Sequence, residues 1–190
     1  LPNRLLIFPR LEDSISRSKP LQQSVFLLVI DIKNFTQIND ELSQEIGDAV
    51  LREVGQKIDR LLNYGEVLRL GSDEFLAILM APDKAAIDEW VELIHAAFKT
   101  PLQVSGIQVS VEMNIGIAAY PEDADSADSL LRRANLALNH GRNSEQRSCW
   151  YQSGWDEKHL RRLHLFREFE TSLNAGHISL YYQPKINLEQ

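Results

Sequence analysis

The sequence predicts an α/β (α+β) sandwich, with a central mixed sheet of about five strands and helices on both faces. Three observations predict it. Residues 25–30, Val-Phe-Leu-Leu-Val-Ile, are an unbroken apolar run rich in branched side chains, the pattern of a strand buried on both faces. Residues 67–80 set two apolar, strand-like runs on either side of a tight polar turn, the pattern of a β-hairpin. Helical periodicities alternate with the strands along the chain. The 24–31 strand is expected at the centre of the sheet, beside the hairpin.

The elements follow in order. Residues 3–18 read as a helix in which Pro9 breaks or restarts the turn. Residues 24–31 are the first strand. A short helix follows at 35–42. An amphipathic helix at 46–62 lines up Val50, Leu51, Val54, Ile58 and Leu61 on one face. Residues 66–71 and 74–80 make the hairpin. Asp83 is placed to cap a helix running to about Phe98. Residues 100–105 and 107–119 read as a second hairpin around Ser105-Gly106. Ser126 is placed to cap a helix to about residue 141, and 147–152 is a short strand. In 153–176, Leu160, Leu163, Phe166, Phe169 and Leu173 recur every three or four residues, and Gly176 is placed to stop that helix. It either packs on its own domain or connects two domains. There is no internal repeat and no low-complexity segment.

Composition narrows the function classes. A chain of 190 residues allows one good core plus an appendage. The net charge of −7 argues against a broad nucleic-acid surface but not against a small nucleotide held through a metal ion. The single cysteine, Cys149, cannot form an internal disulfide, which fits a reducing, cytoplasmic compartment. No apolar run approaches the roughly 20 residues that span a bilayer, so no membrane contact is expected of this segment. A membrane or sensor segment upstream remains compatible with the sequence.

The hairpin turn Gly71-Ser72-Asp73-Glu74 puts two adjacent carboxylates at its tip. They repel each other and add nothing to a core. One reading is an acidic, solvated turn; the other is a cation site. The apolar strand ends on Asp31, with Asn34, Phe35, Asn39 and Asp40 following. A carboxylate ending a central strand commonly faces a ligand crevice. With the strand beside the hairpin, Asp31 and Asp73 converge. Two hard oxygen ligands that leave room for water and phosphate oxygens describe a Mg²⁺ (or Mn²⁺) site, the apparatus of phosphoryl or nucleotidyl transfer. Gly71 is expected to let the backbone take unusual dihedrals close to a ligand.

These residues resemble a known family. Gly71-Ser72-Asp73-Glu74-Phe75 is similar to the signature of GGDEF domains, the diguanylate cyclases, with Ser in the second position. Leu1-Pro2-Asn3-Arg4, Asp31-Ile32-Lys33-Asn34-Phe35, Ile38-Asn39-Asp40, Gly47-Asp48, residues 114–118 and residues 130–138 resemble further family segments in the right order. Leu180-Tyr181-Tyr182-Gln183-Pro184 is similar to the opening strand of an EAL domain, the cyclic-di-GMP phosphodiesterase partner. The resemblance implies a mostly antiparallel sheet like that of nucleotidyl cyclases and polymerase palms. It implies a GGDEF-like domain at 1–152, a helical connector at 153–176 and the first strand of a truncated EAL-like domain at 177–190. It also implies roles. Asp31, the Ile32 carbonyl and Asp73 hold metal, and Asp73 and Glu74 serve catalysis. Asn39 and Asp48 read guanine; Gly71, Ser72 and Arg142 lie along the phosphates.

The departures from the family pattern bear on rate. Ser72 crowds the phosphate path and resists a positive φ. A second metal-strand Asp is Lys33. Phosphate-facing cations are Thr36 and Gln146; Arg142 keeps its charge. The product-inhibition pair Arg-x-x-Asp falls on Leu62 and Gly65. Three functions stay open. The chain is a cyclase, condensing two GTP to cyclic di-GMP as a homodimer. Or it is a module that binds GTP with Mg²⁺ and regulates an attached EAL phosphodiesterase with weak or no turnover. Or it is a structural domain with an empty site.

Overall fold

The computed structural model describes residues 6–63, 65–177 and Tyr181. The family-like start at residues 1–4 lies outside the described residues, as does the EAL-like strand apart from Tyr181. The chain divides into two compact units, Leu1–Ser153 and Gly154–Gln190.

In the first unit the order is α1 (Ile7–Leu21), β1 (Ser24–Ile32), α2 (Phe35–Leu42), α3 (Gln44–Leu61), β2 (Glu66–Arg69), β3 (Glu74–Ala81), α4 (Lys84–Ala97), β4 (Leu102–Val104), β5 (Ile107–Val109), β6 (Met113–Tyr120), α5 (Ala127–Asn143) and β7 (Ser148–Trp150). The five-stranded sheet runs β2-β3-β1-β6-β7. Three of its pairings are antiparallel and the last, β6 with β7, is parallel. The sheet is therefore mixed, mostly antiparallel and centred on β1.

β1 alternates between two cores. Phe26, Leu28, Ile30 and Ile32 pack with α3 and α4 through Val50, Val54, Ile58, Ile87 and Ile94. Val25, Leu27 and Val29 point to the opposite face, and all three are fully buried. There α5 lies along β6 and β1, and α1 touches α5, β1 and β3. Each branched side chain so buried contributes about 1.5–3 kcal/mol.

Local chemistry explains the helix ends. Asp83 accepts from the Ala86 amide at 3.0 Å and starts α4. Ser126 and Ser129 form a reciprocal capping box that starts α5. Pro9 falls in the first turn of α1, where its missing N–H is not needed, so it does not break the helix. One expectation needs correcting. The segment 107–119 is not one strand: β5 pairs only with β4 in a separate two-stranded sheet, and β6 enters the main sheet. Residues 110–112 carry the chain between them, and uniform β-propensity across the segment hides that change of partner.

Gly116 sets how closely α5 approaches the sheet. A Cβ there would stand 2.2 Å from the Leu138 amide nitrogen and 2.3 Å from the Ala134 carbonyl oxygen, both backbone atoms. In the second unit, α6 (Trp155–Asn174) ends where the His177 amide donates to the Ser172 carbonyl and Gly176 takes φ +72°. Leu165, Phe169 and Leu173 are exposed along it.

Two stability outcomes follow. Gly116→Ala should lose about 1–3 kcal/mol or more in chemical denaturation, because helix backbone cannot yield as a side chain does. His95 has its pKa lowered from 6.5, first by burial and also by Arg147, with Glu92 opposing. The folded state therefore binds that proton less well than the unfolded chain. This contribution to stability is present above pH 6.5 and is lost as pH falls through the lowered folded value. Comparing wild type with His95→Gln by denaturation at pH 8 and pH 5 checks it: the variant should lose less stability on acidification.

Candidate active site

The alternation that builds the core also aims Asp31. It follows Val25, Leu27 and Val29 on the α5 face, at the end of a strand with no other polar residue on that side. Its register partners are Glu74 on β3 and Asn114 on β6. Directly opposed residues share a face, so Glu74, Asp31 and Asn114 form a row across three strands. Two like charges side by side are destabilising unless a cation joins them. Arg142, from the last turn of α5, supplies it. Its Nε donates to Asp31 Oδ2 at 3.1 Å, its terminal nitrogen pairs with Asp31 Oδ1, and that same nitrogen lies 3.5 Å from Glu74 Oε1.

Asp31 is buried, with 6% of its surface exposed. Burial is the largest influence on its pKa and raises it. The hydrogen bond and charge of Arg142 lower it; the charges of Asp73 and Glu74 raise it further. Three carboxylates thus act on one another here, and one guanidinium holds two of them.

The hairpin tip is shaped by Arg69. Its Nε donates to the Gly71 carbonyl at 3.0 Å and its terminal nitrogen to the Ser72 carbonyl at 2.8 Å. The Ile32 amide donates to the Asp73 carbonyl at 3.2 Å, which ties the tip to the end of β1. Ser72 Oγ donates to Asp73 Oδ1 at 2.6 Å. Neither Gly71 nor Ser72 has a positive φ. The expected special backbone at Gly71 is therefore not needed, and the expected strain at Ser72 is not present. Arg69 closes the turn through carbonyls, which demands no unusual dihedral.

Asn39 and Asp48 lie on α2 and α3. Ser43 links the two helices and caps α3, accepting from the Ile46 amide at 3.4 Å. Asp48 is therefore not a cap; it is an exposed residue inside the helix. Asn39 packs its carboxamide against Gly47, where a Cβ would stand 1.8 Å from Oδ1. That oxygen is enclosed and has no hydrogen-bond partner among the described residues.

A crevice of about 670 Å³ opens beside Asp31. Arg142, Asn114, Lys33 and Arg147 line it, with Glu112 and Glu145. Thr36 and Gln146 do not. Lys33 and Arg147 were missed in the sequence because position-by-position matching scores one as a lost Asp and passes over the other. The only available signal was an Arg one place after Gln146.

The donors around Asp31 are hard oxygens, with neither thiolate nor imidazole among them. Among the described residues no three His, Cys, Asp or Glu side chains stand together as a metal cluster. The slot between Asp31 and Glu74 is spanned by a cation already, and its chemistry fits a hard divalent ion such as Mg²⁺ or Mn²⁺ rather than Zn²⁺.

Comparison with known proteins agrees with this architecture. The family model "Diguanylate cyclase, GGDEF domain" matches residues 1–148. The chain is 29% identical over 188 residues to the bifunctional diguanylate cyclase/cyclic di-GMP phosphodiesterase MucR of Pseudomonas aeruginosa, covering 98% of this chain and 27% of that protein. It is 37% identical over 142 residues to the diguanylate cyclase TpbB of the same species, covering 73% of this chain and 32% of TpbB. The chain thus spans about a third or less of the length of these two relatives. The crystal structure of the TpbB GGDEF domain superposes with a TM-score of 0.77 at 31% identity, covering 80% of this chain and 97% of that one. Fold and sequence lead to one conclusion: the chain belongs to the GGDEF family, the diguanylate cyclase domains of cyclic di-GMP signalling proteins.

Proposed function

We propose that this domain binds GTP with Mg²⁺ (or Mn²⁺) and regulates an EAL phosphodiesterase attached through 153–176, with weak or no cyclase turnover. The observation that carries the binding half is the Asp31–Arg142–Glu74 arrangement: a buried carboxylate that shares one cation with a second carboxylate, at the edge of a crevice of about 670 Å³. A divalent ion held there would supply positive charge against the phosphates. The rest falls to the chain. Asp31 and Glu74, with the Ile32 carbonyl and with the Asp73 carboxylate in electrostatic reach, would supply oxygen ligands. Arg142, at the end of α5, would lie along the phosphates. Asp48 accepts from guanine N1–H and N2–H₂, and the unpaired Asn39 oxygen awaits a donor.

The weak-turnover half rests on Thr36 and Gln146, which place no positive charge where it would stabilise a developing phosphoryl charge. Leu62 is buried in the core and Gly65 has no side chain, so product inhibition through that pair is not expected. A second reading is an active cyclase that condenses two GTP across a homodimer. The unstrained backbone at Ser72 favours it, since that substitution then costs the turn nothing.

Two experiments test the proposal. Calorimetry in Mg²⁺ should give tighter binding of GTP than of ATP. ATP leaves the Asp48 acceptor unpaired, at a cost of roughly 1–3 kcal/mol. Asp48→Ala should erase the preference. Equal affinity for both nucleotides removes the guanine role, and rapid cyclic di-GMP formation from GTP in the same samples would establish the cyclase reading. For Arg142→Met, the two affinities should move in opposite directions. Freed of its competitor, the carboxylate pair should bind Mn²⁺ more tightly without nucleotide, measured by electron paramagnetic resonance. GTP affinity should fall, since a phosphate contact is lost.

A further inference from the structure

Position-by-position, two of three phosphate cations are missing, at Thr36 and Gln146. The crevice holds two other cations, at different positions. Lys33 follows the end of β1 and Arg147 immediately precedes β7, and both line the crevice with Asp31 and Arg142. Their backbones are held by the sheet. The Lys33 amide donates to the Glu112 carbonyl at 2.9 Å, and the Arg147 carbonyl accepts from the Ile115 amide at 2.8 Å. Their side chains are exposed, so they reach into the crevice from fixed origins. Lys33 Nζ lies 3.5 Å from Glu112 Oε2, an exposed pair of the kind that holds weakly and yields to a stronger anion.

Charge bookkeeping sharpens the point. The crevice carries Lys33, Arg142 and Arg147 against Asp31, Glu112 and Glu145, so its cations and acids balance. With Arg142 held by Asp31 and Glu74, the other two cations lining the crevice are Lys33 and Arg147. A planar guanidinium grips phosphate oxygens in pairs, and an ammonium acts as a point charge. We infer that Lys33 and Arg147 grip the outer phosphates of a nucleoside triphosphate, in place of the cations absent at Thr36 and Gln146. This rests on the reading that the crevice takes GTP, and adds which residues make the site select for phosphate number.

The test is a titration of the protein with GTP and GMP in Mg²⁺, followed by calorimetry. Wild type should bind GTP at least about tenfold more tightly than GMP, a ratio worth about 1.4 kcal/mol. Lys33→Ala/Arg147→Ala should lose most of that ratio and leave GMP affinity unchanged, while Lys33→Arg should keep it. Thr36→Ala/Gln146→Ala should leave the ratio intact. Both replaced side chains are exposed; should the double variant fail to fold, the single variants Lys33→Gln and Arg147→Gln read the same ratio. An undiminished GTP/GMP ratio in the variants overturns the inference and leaves GTP binding standing. Equal wild-type affinity for GTP and GMP overturns it too. If wild type binds neither nucleotide, the functional reading falls and takes the inference with it.

Discussion

A carboxylate at the end of a doubly buried strand must be neutralised or joined to a cation, and most of the site follows from that requirement at Asp31. Its burial raises its pKa, and its two acidic neighbours raise it further. Burial and like charge favour its neutral form, and a nearby opposite charge favours the ion. Arg142 supplies that charge by meeting both carboxylates. The guanidinium can do so only because α5 lies close to β6, and that approach depends on Gly116. A glycine in the middle of a strand, a helix with Ala134 and Ala137 buried, and an arginine in the last helical turn are thus parts of one arrangement.

The sheet separates two groups of polar residues. One face, covered by α1 and α5, carries Asp31, Glu74 and Arg142. Beyond the helices of the other face, Ser43 joins the elements that carry Asn39 and Asp48. The hairpin tip is pinned to the end of β1 by the Ile32–Asp73 hydrogen bond and closed by Arg69. Fixing three short elements to one strand end gives the site rigidity from the core, which is how a loop-borne carboxylate such as Asp73 is kept in electrostatic reach of Asp31.

Arg142 is committed to the Asp31 and Glu74 carboxylates, and other cations line the crevice beside it. The exposed pair Lys33–Glu112 shows such a cation held by little more than solvent-screened attraction.

Much of this was legible in the sequence. The apolar run at 25–30 could only be a central strand, since no other placement buries both its faces. Asp83 and Ser126 announced their helices because a cap is a local contact, made within three residues. Asp31, Asp73 and Glu74 stood out as charge placed where no core could use it. What needed three dimensions was of another kind. The break at 110–112 depends on which strand each half pairs with. The ordinary backbone at Ser72 depends on Arg69 closing the turn. The place of Lys33 and Arg147 depends on β1, β6 and β7 lying side by side. Periodicity and capping are encoded over a few neighbouring residues and can be read along the chain. A crevice is made by residues more than a hundred positions apart, and only the register of the sheet decides which of their charges meet.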